Sequence, residues 1–181
     1  QAKACFSSRQ YGEECGVFGI ALKEGSTLSA AHSVYTALYT LQHRGQQTAG
    51  IASVDKGTFH LHKGPGLVPD VFGDKNLKTL TGPAAIGHVR YASGGDTATI
   101  NAQPLVVTHA SGSMAVCYNG RLVNSDELRR ETENRGGIFQ SSNSAEVIAY
   151  LLVRERMRAG TIEDAVINAM QYMVGAYSVV L

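Results

Sequence analysis

The chain of 181 residues predicts an α+β fold in which helices pack on antiparallel sheet. Three observations carry this. Short runs of strand character, with one helix among them, fill the first two thirds of the chain. Helices with recognisable starts fill most of the remainder. The two kinds of element never alternate as regular βαβ units.

Residues 16–22 alternate well enough for a strand, and residues 30–43 read as a helix with Val34, Leu38 and Leu41 at i, i+4 and i+7. Residues 50–54 and 59–62 look like strands joined by the turn Asp55-Lys56-Gly57. Residues 84–91 and 114–118 are further strands, each ending in a polar, glycine-containing segment. Asn124 and Glu127 have capping-box spacing at a helix start, as do Asn143 and Glu146, with Thr161 and Asp164 a weaker version. The helix over 144–158 buries Val147, Ile148, Leu151 and Leu152 and stops near Gly160. The next, over 162–173, sets Ala165, Val166, Ala169, Met170 and Met173 on one core-facing side before Gly175. A last strand over 176–181 runs straight into the C-terminus. A strand there normally needs partners on both sides, so the chain is expected to be a fragment of something longer.

Composition bounds the function. The length suits one domain with a sizeable core. Hydrophobic content of 44% and charged content of 17% are ordinary for a globular protein. A net charge of +1 offers no field for a polyanion, so no nucleic-acid partner is expected. No segment approaches the ~20 apolar residues of a membrane span, and residues 1–14 lack the apolar region of a secretory signal. Cys5, Cys15 and Cys117 are an odd number without Cys-x-x-Cys spacing. That argues against a disulfide framework or a zinc site and fits a reducing, cytoplasmic setting.

Four segments carry candidate chemistry. Cys15-Gly16 opens a strand, where the cysteine can act as nucleophile and the glycine admits substrate close to the backbone. An N-terminal α-amine, with a reference pKa near 8, can serve as base for the thiol, which requires removal of residues 1–14. Taken alone, such a cysteine is more often a small buried hydrophobe. Leu41-Gln42-His43-Arg44-Gly45-Gln46 ends a helix, where an arginine can equally satisfy the last carbonyls. Arg90, at a strand end, can grip a carboxylate by a bidentate fork or form a surface ion pair. Asn119-Gly120 is first a turn signal, but also sets an amide and a backbone N–H side by side as an oxyanion hole requires.

The order and spacing of these segments resemble the glutaminase domain of the glutamine phosphoribosylpyrophosphate amidotransferases (amidophosphoribosyltransferases), which are N-terminal-nucleophile (Ntn) hydrolases. Cys15-Gly16-Val17-Phe18-Gly19 looks like their mature N-terminus, and Leu41 to Gln46 like their Leu-Gln-His-Arg-Gly-Gln segment. Ala49-Gly50-Ile51, Lys63-Gly64-Pro65-Gly66-Leu67-Val68, Asp70-Val71-Phe72, residues 86–92, Gln103-Pro104 and Asn119-Gly120 continue in register, so the likeness spans roughly residues 13–181.

The resemblance implies a four-layer αββα sandwich of two antiparallel sheets between helices, incomplete here at its C-terminus. It implies a propeptide over residues 1–14, ending Glu13-Glu14, and a glutaminase domain over 15–181. Cys15 would attack the glutamine side-chain amide with its own α-amine shuttling the proton. Asn119 and the Gly120 N–H would hold the oxyanion, Arg90 the substrate α-carboxylate, and Arg44 would shape the pocket. The ammonia released would serve phosphoribosylamine formation in purine biosynthesis. No cofactor is implied for this chain. Mg2+ and an iron–sulfur cluster belong to the family's transferase half, which also takes phosphoribosylpyrophosphate through an acidic Val-Asp-Asp-x-x-x-Thr-Gly-Thr motif that these residues lack. The full-length protein is implied to be a homo-oligomer.

Three positions depart from the family pattern. Tyr118 stands where histidine is usual and Arg121 where asparagine or glutamate is usual. Ser144, counted back from Glu146, falls where an aspartate pairs with the glutamine α-ammonium. A hydroxyl there removes a charge-assisted bond of about 1.5–3 kcal/mol, a tenfold to hundredfold loss in binding. Two readings follow: a glutamine-hydrolysing domain, or a non-catalytic Ntn-fold paralogue that keeps its propeptide and acts as a binding or regulatory module. A papain-like protease needs a histidine base, for which His43 and His88 are available, but no papain-type sequence surrounds Cys15.

Overall fold

The computed structural model describes residues 15–91, 99–110 and 112–181. The expected propeptide with Cys5, and residues 92–95 of the glycine turn after Arg90, lie outside the described residues.

Four strands, β1 (Gly16–Ala21), β2 (Thr48–Asp55), β3 (Thr58–Pro65) and β4 (Ala84–Arg90), form one sheet in the order β1-β4-β2-β3. Three more, β5 (Leu105–His109), β6 (Gly112–Leu122) and β7 (Gly175–Val180), form a second in the order β5-β6-β7. Every pairing is antiparallel. The helix α1 (Ala30–Thr40) covers β1, β2 and β4, beside the short α2 (Val68–Val71) and α3 (Asp74–Thr79). On the far side α5 (Ser144–Arg156) covers β5 and β6, flanked by α4 (Ser125–Asn134) and α6 (Ile162–Met170). Since β1 and β4 lie against β6 and β7, the layers run αββα, as the resemblance implied.

Each helix–sheet interface has its own apolar core. One gathers Val34, Leu38, Ile51 and Val89, and the other Val116, Ile148, Leu151 and Leu152. Between the sheets glycines and polar groups meet at several points. A Cβ on Gly50 would lie 2.1 Å from the Gln103 carbonyl oxygen, and one on Gly19 would lie 2.6 Å from Val180. Only glycine lets the sheets approach this closely. The fully buried His88 crosses the gap, its Nε2 3.1 Å from the Tyr118 carbonyl oxygen.

The β2–β3 hairpin turns through Lys56 and Gly57, with φ of 48° and 82°, the left-handed pair that a two-residue turn requires. The predicted strands are all present, but the sequence reading missed β5, α2 and α3. The helix over 30–43 ends at Thr40, and Gln42–Arg44 forms a separate 3₁₀ turn. The Asn124–Glu127 capping box is not formed: Asn124 instead donates to the Tyr172 carbonyl at 2.8 Å and accepts from the Val174 N–H at 3.1 Å. That ties the start of α4 to the segment after α6. Asn143 does cap α5 through the Ala145 N–H, whereas Glu146 accepts the Gln140 and Ser141 N–H groups and orders the preceding loop. The helix over 162–173 ends at Met170, which is half exposed; Ala165 and Ala169 are its buried residues, and Met173 is buried beyond its end.

Two outcomes follow from the gap between the sheets. Gly50→Ala should destabilise the fold by about 1–3 kcal/mol or more, read as a lower denaturant midpoint. Burial, aided by Arg90, lowers His88 from 6.5 to about 3. The unfolded chain therefore takes up a proton that the fold resists, and stability should fall as pH drops below about 6.5. His88→Gln should flatten that slope in acid titrations of unfolding.

Candidate active site

Cys15 stands immediately before β1. Its N–H donates to the Arg44 carbonyl at 2.8 Å, and Arg44 Nε donates back to the Cys15 carbonyl at 2.7 Å. This reciprocal pair fastens the strand start to the 3₁₀ turn after α1. The turn is seated on β4 because Gly45 has no side chain: a Cβ there would lie 2.6 Å from the Arg90 carbonyl carbon. Gln42 secures it from below, accepting the Val68 N–H at 2.6 Å and donating to the Gly45 carbonyl. The helix-end segment is thus a bracket built from side-chain amide and backbone, and Arg44 serves Cys15 rather than the α1 carbonyls.

The Sγ of Cys15 rests on the peptide of Tyr91, at 3.5 Å from its nitrogen and 3.7 Å from its oxygen. A thiol can donate to the carbonyl, and a thiolate can accept from the N–H. Arg90, one residue earlier, points Nη1 at Gln47 Oε1 (3.2 Å), while the Gln47 N–H donates to the Arg90 carbonyl at 3.0 Å. From the second sheet Asn119 brings Nδ2 to 3.4 Å from the Cys15 carbonyl. Gly120 follows with φ of 137°, where a Cβ would lie 2.3 Å from the Ala176 carbonyl oxygen. No other residue fits that position of β6 without strain.

Cys15, Arg44, Arg90, Asn119 and Gly120 thus meet where β1, β4 and β6 come together. Ser144 has a neighbouring hydroxyl for a partner. As first residue of α5 it pairs its hydroxyl with that of Ser125, first residue of α4, at 2.9 Å. Arg121 is exposed. Tyr118 turns its ring into the helix-side core, where burial chiefly pushes its phenol up to about 12, so it stays protonated. Of the histidines, His43 is exposed with Nδ1 3.1 Å from the Thr40 carbonyl, and His88 is committed to Tyr118. The contribution of Tyr91 was missed, because a backbone group carries no side-chain signature. Among the described residues, no group of three or more His, Cys, Asp or Glu is placed to hold a metal ion.

The two thiols among the described residues, Cys15 and Cys117, differ in access. Cys117 is fully buried and burial pushes its thiol well above the usual range, whereas Cys15 is half-buried beside backbone donors. Iodoacetamide at neutral pH should alkylate Cys15 and spare Cys117 in the folded protein; peptide mass mapping with equal labelling would contradict this.

Comparison with known proteins bears on this geometry. The profile of the glutamine amidotransferase domain matches residues 88–181. The amidophosphoribosyltransferase of Methanocaldococcus jannaschii is 48% identical over 92% of this chain and 35% of its own length. That of Bacillus subtilis is 42% identical over 92% of this chain and 34% of its own. A solved structure described as the allosteric regulatory enzyme of purine biosynthesis superposes with a TM-score of 0.80 at 41% identity, over 90% of this chain and 34% of that one. The B. subtilis glutamine phosphoribosylpyrophosphate amidotransferase complexed with ADP and GMP gives 0.78 at the same identity and coverage. The chain thus spans about a third of the length of the relatives it matches. With the Cys-Gly strand start, the arginine bracket and the Asn-Gly pair gathered at one place, this chain belongs to the glutamine amidotransferase domain family.

Proposed function

We propose that this chain hydrolyses glutamine to glutamate and ammonia through Cys15, and that the ammonia serves phosphoribosylamine synthesis in a longer amidophosphoribosyltransferase. The observation that carries the reading is the convergence on Cys15 of the Tyr91 peptide, the Arg44 carbonyl and the Asn119 amide. The reading requires cleavage of the Glu14–Cys15 bond. Cys15 has φ of 60°, a left-handed conformation costly for a residue with a side chain. Cleavage relieves that strain and leaves an α-amine already hydrogen-bonded to Arg44.

In the proposed reaction the amine takes the thiol proton, and the thiolate forms a C–S bond to the amide carbon. The carbonyl electron pair moves to oxygen, where the Asn119 amide and the Gly120 N–H receive it. Collapse breaks the C–N bond; the ammonium form of the amine protonates the leaving nitrogen, and ammonia departs. Water then attacks the thioester, giving its proton to the amine, and glutamate leaves as the thiol is restored. Arg90 holds the substrate α-carboxylate, and Arg44 holds the strand start in line. Phosphoribosylpyrophosphate, Mg2+, an iron–sulfur cluster and homo-oligomer contacts are assigned to the remainder of such an enzyme, in a reducing cytoplasm. The Ser144–Ser125 pair, where a carboxylate would meet the α-ammonium, favours a second reading: a non-catalytic module with its propeptide retained.

Intact mass after exposure to an electrophilic glutamine analogue tests the first reading. A chain starting at Cys15 with one adduct is expected; a full-length, unlabelled chain favours the second. Cys15→Ala should abolish glutaminase activity while Cys117→Ala leaves it nearly intact. Ser144→Asp should lower the glutamine KM about tenfold or more; an unchanged or higher value would place the ammonium site elsewhere.

A further inference from the structure

The oxyanion groups sit on the β6 backbone, so whatever aims that backbone decides whether they point at the substrate. The β5–β6 ladder runs from His109↔Gly112 to Leu105↔Val116. Continued by two residues, the same register sets Gln103 opposite Tyr118, but the backbone ladder stops at Leu105. The Gln103 side chain continues it. Its Oε1 accepts the Tyr118 N–H at 2.6 Å, and its Nε2 donates to the Tyr118 carbonyl at 3.0 Å. From the other sheet, His88 Nε2 reaches the same carbonyl at 3.1 Å. The same Nε2 lies 3.3 Å from Gln103 Nε2; the closer carbonyl oxygen can only accept, which favours the Nε2–H tautomer with both nitrogens donating to that oxygen.

The node is buried and braced by further hydrogen bonds. His88 is fully buried and Gln103 is 4% exposed. Lys63 Nζ donates to the carbonyls of Ala102 and Pro104, on either side of Gln103, at 2.6 and 3.2 Å. The Gln103 carbonyl in turn fills the space that Gly50 leaves. An apolar pair would fill the gap between the sheets with less desolvation cost, but would not orient a peptide. The carbonyl they hold belongs to the peptide whose nitrogen is that of Asn119, one residue before Gly120. His88 also lies two residues before Arg90, so one contact sets the strand that carries the arginine against the strand that carries the oxyanion groups.

We propose that His88 and Gln103 are positioning residues for the oxyanion site, clamping the Tyr118–Asn119 peptide and so fixing the directions of the Asn119 amide and the Gly120 N–H. The catalytic part of this inference rests on the glutaminase reading above; the positioning part rests on the hydrogen bonds alone. Burial keeps His88 neutral well below physiological pH, so it acts as a fixed donor.

The test uses the full chain with His88→Leu, His88→Gln, His88→Asn and Gln103→Leu, measuring four quantities. They are kcat, the glutamine KM, the rate of Cys15 alkylation by iodoacetamide, and amide hydrogen exchange at Asn119 and Gly120. His88→Leu and Gln103→Leu should lose about 10²-fold in kcat, with KM within about threefold and Cys15 alkylation unchanged. Exchange at Asn119 and Gly120 should speed up in both. His88→Gln, whose amide nitrogen takes the place of Nε2, should restore most of the activity; His88→Asn, whose nitrogen takes the place of Nδ1, should not. That last pair decides the matter should His88→Leu fail to fold. An unchanged kcat and exchange, a fall in kcat matched by lost alkylation, or equal damage in His88→Gln and His88→Asn would overturn the proposal. A wild-type chain without glutaminase activity would instead refute the proposed function, and the exchange data would still decide whether these residues aim β6.

Discussion

The close approach of two antiparallel sheets is the constraint on which the site depends. Sheets packed face to face ordinarily stand about 10 Å apart with side chains interdigitating. Here Gly19 and Gly50 withdraw their side chains, and a backbone segment and a buried imidazole enter the gap. The end of β4 and the Asn119 stretch of β6, which belong to different sheets, thereby reach the same residue, Cys15. Catalysis by an N-terminal residue needs this, because a strand start has too few neighbours of its own to supply an oxyanion site, a carboxylate grip and a base.

Within that frame the forces divide cleanly. The two apolar cores between helix and sheet supply burial, through Leu38, Ile51 and Val89 on one side and Ile148, Leu151 and Leu152 on the other. The layer between the sheets supplies direction, through hydrogen bonds of Gln103, His88 and Lys63 to backbone groups. Hydrophobic burial is non-directional and tolerates small shifts, whereas a donor aimed at a carbonyl does not. The site sits at the end of the directional layer.

Much of this was legible in the sequence, for physical reasons that differ by element. Periodicity revealed α1 and α6 because each buries one face, the Asn143 cap marked the start of α5, and the turn at Lys56-Gly57 showed itself through its glycine. Cys15, Arg44, Arg90 and Asn119-Gly120 stood out by order and spacing. Less was visible where backbone does the work. β5 is five residues long and follows a proline, too short for alternation to register. The bond of Asn124 to the segment after α6 is a tertiary contact that overrode its local capping role. Gln103 read only as part of a dipeptide, since nothing in its neighbourhood announces that its amide will extend a ladder.

The arrangement around Cys15 also bears on how this domain tolerates mutation. Its backbone partners there include the Tyr91 peptide and the Arg44 carbonyl, present whatever side chain those residues carry, while its own carbonyl takes the side-chain donors Arg44 Nε and Asn119 Nδ2. A survey of substitutions would therefore pass lightly over Tyr91 itself and mark the site by its glycines: 45, where a turn lies on β4, and 120, where a strand passes Ala176. Heritable variation in such a site is constrained through shape as well as through chemical identity, and part of its signature in a set of descendants would be a pattern of missing side chains.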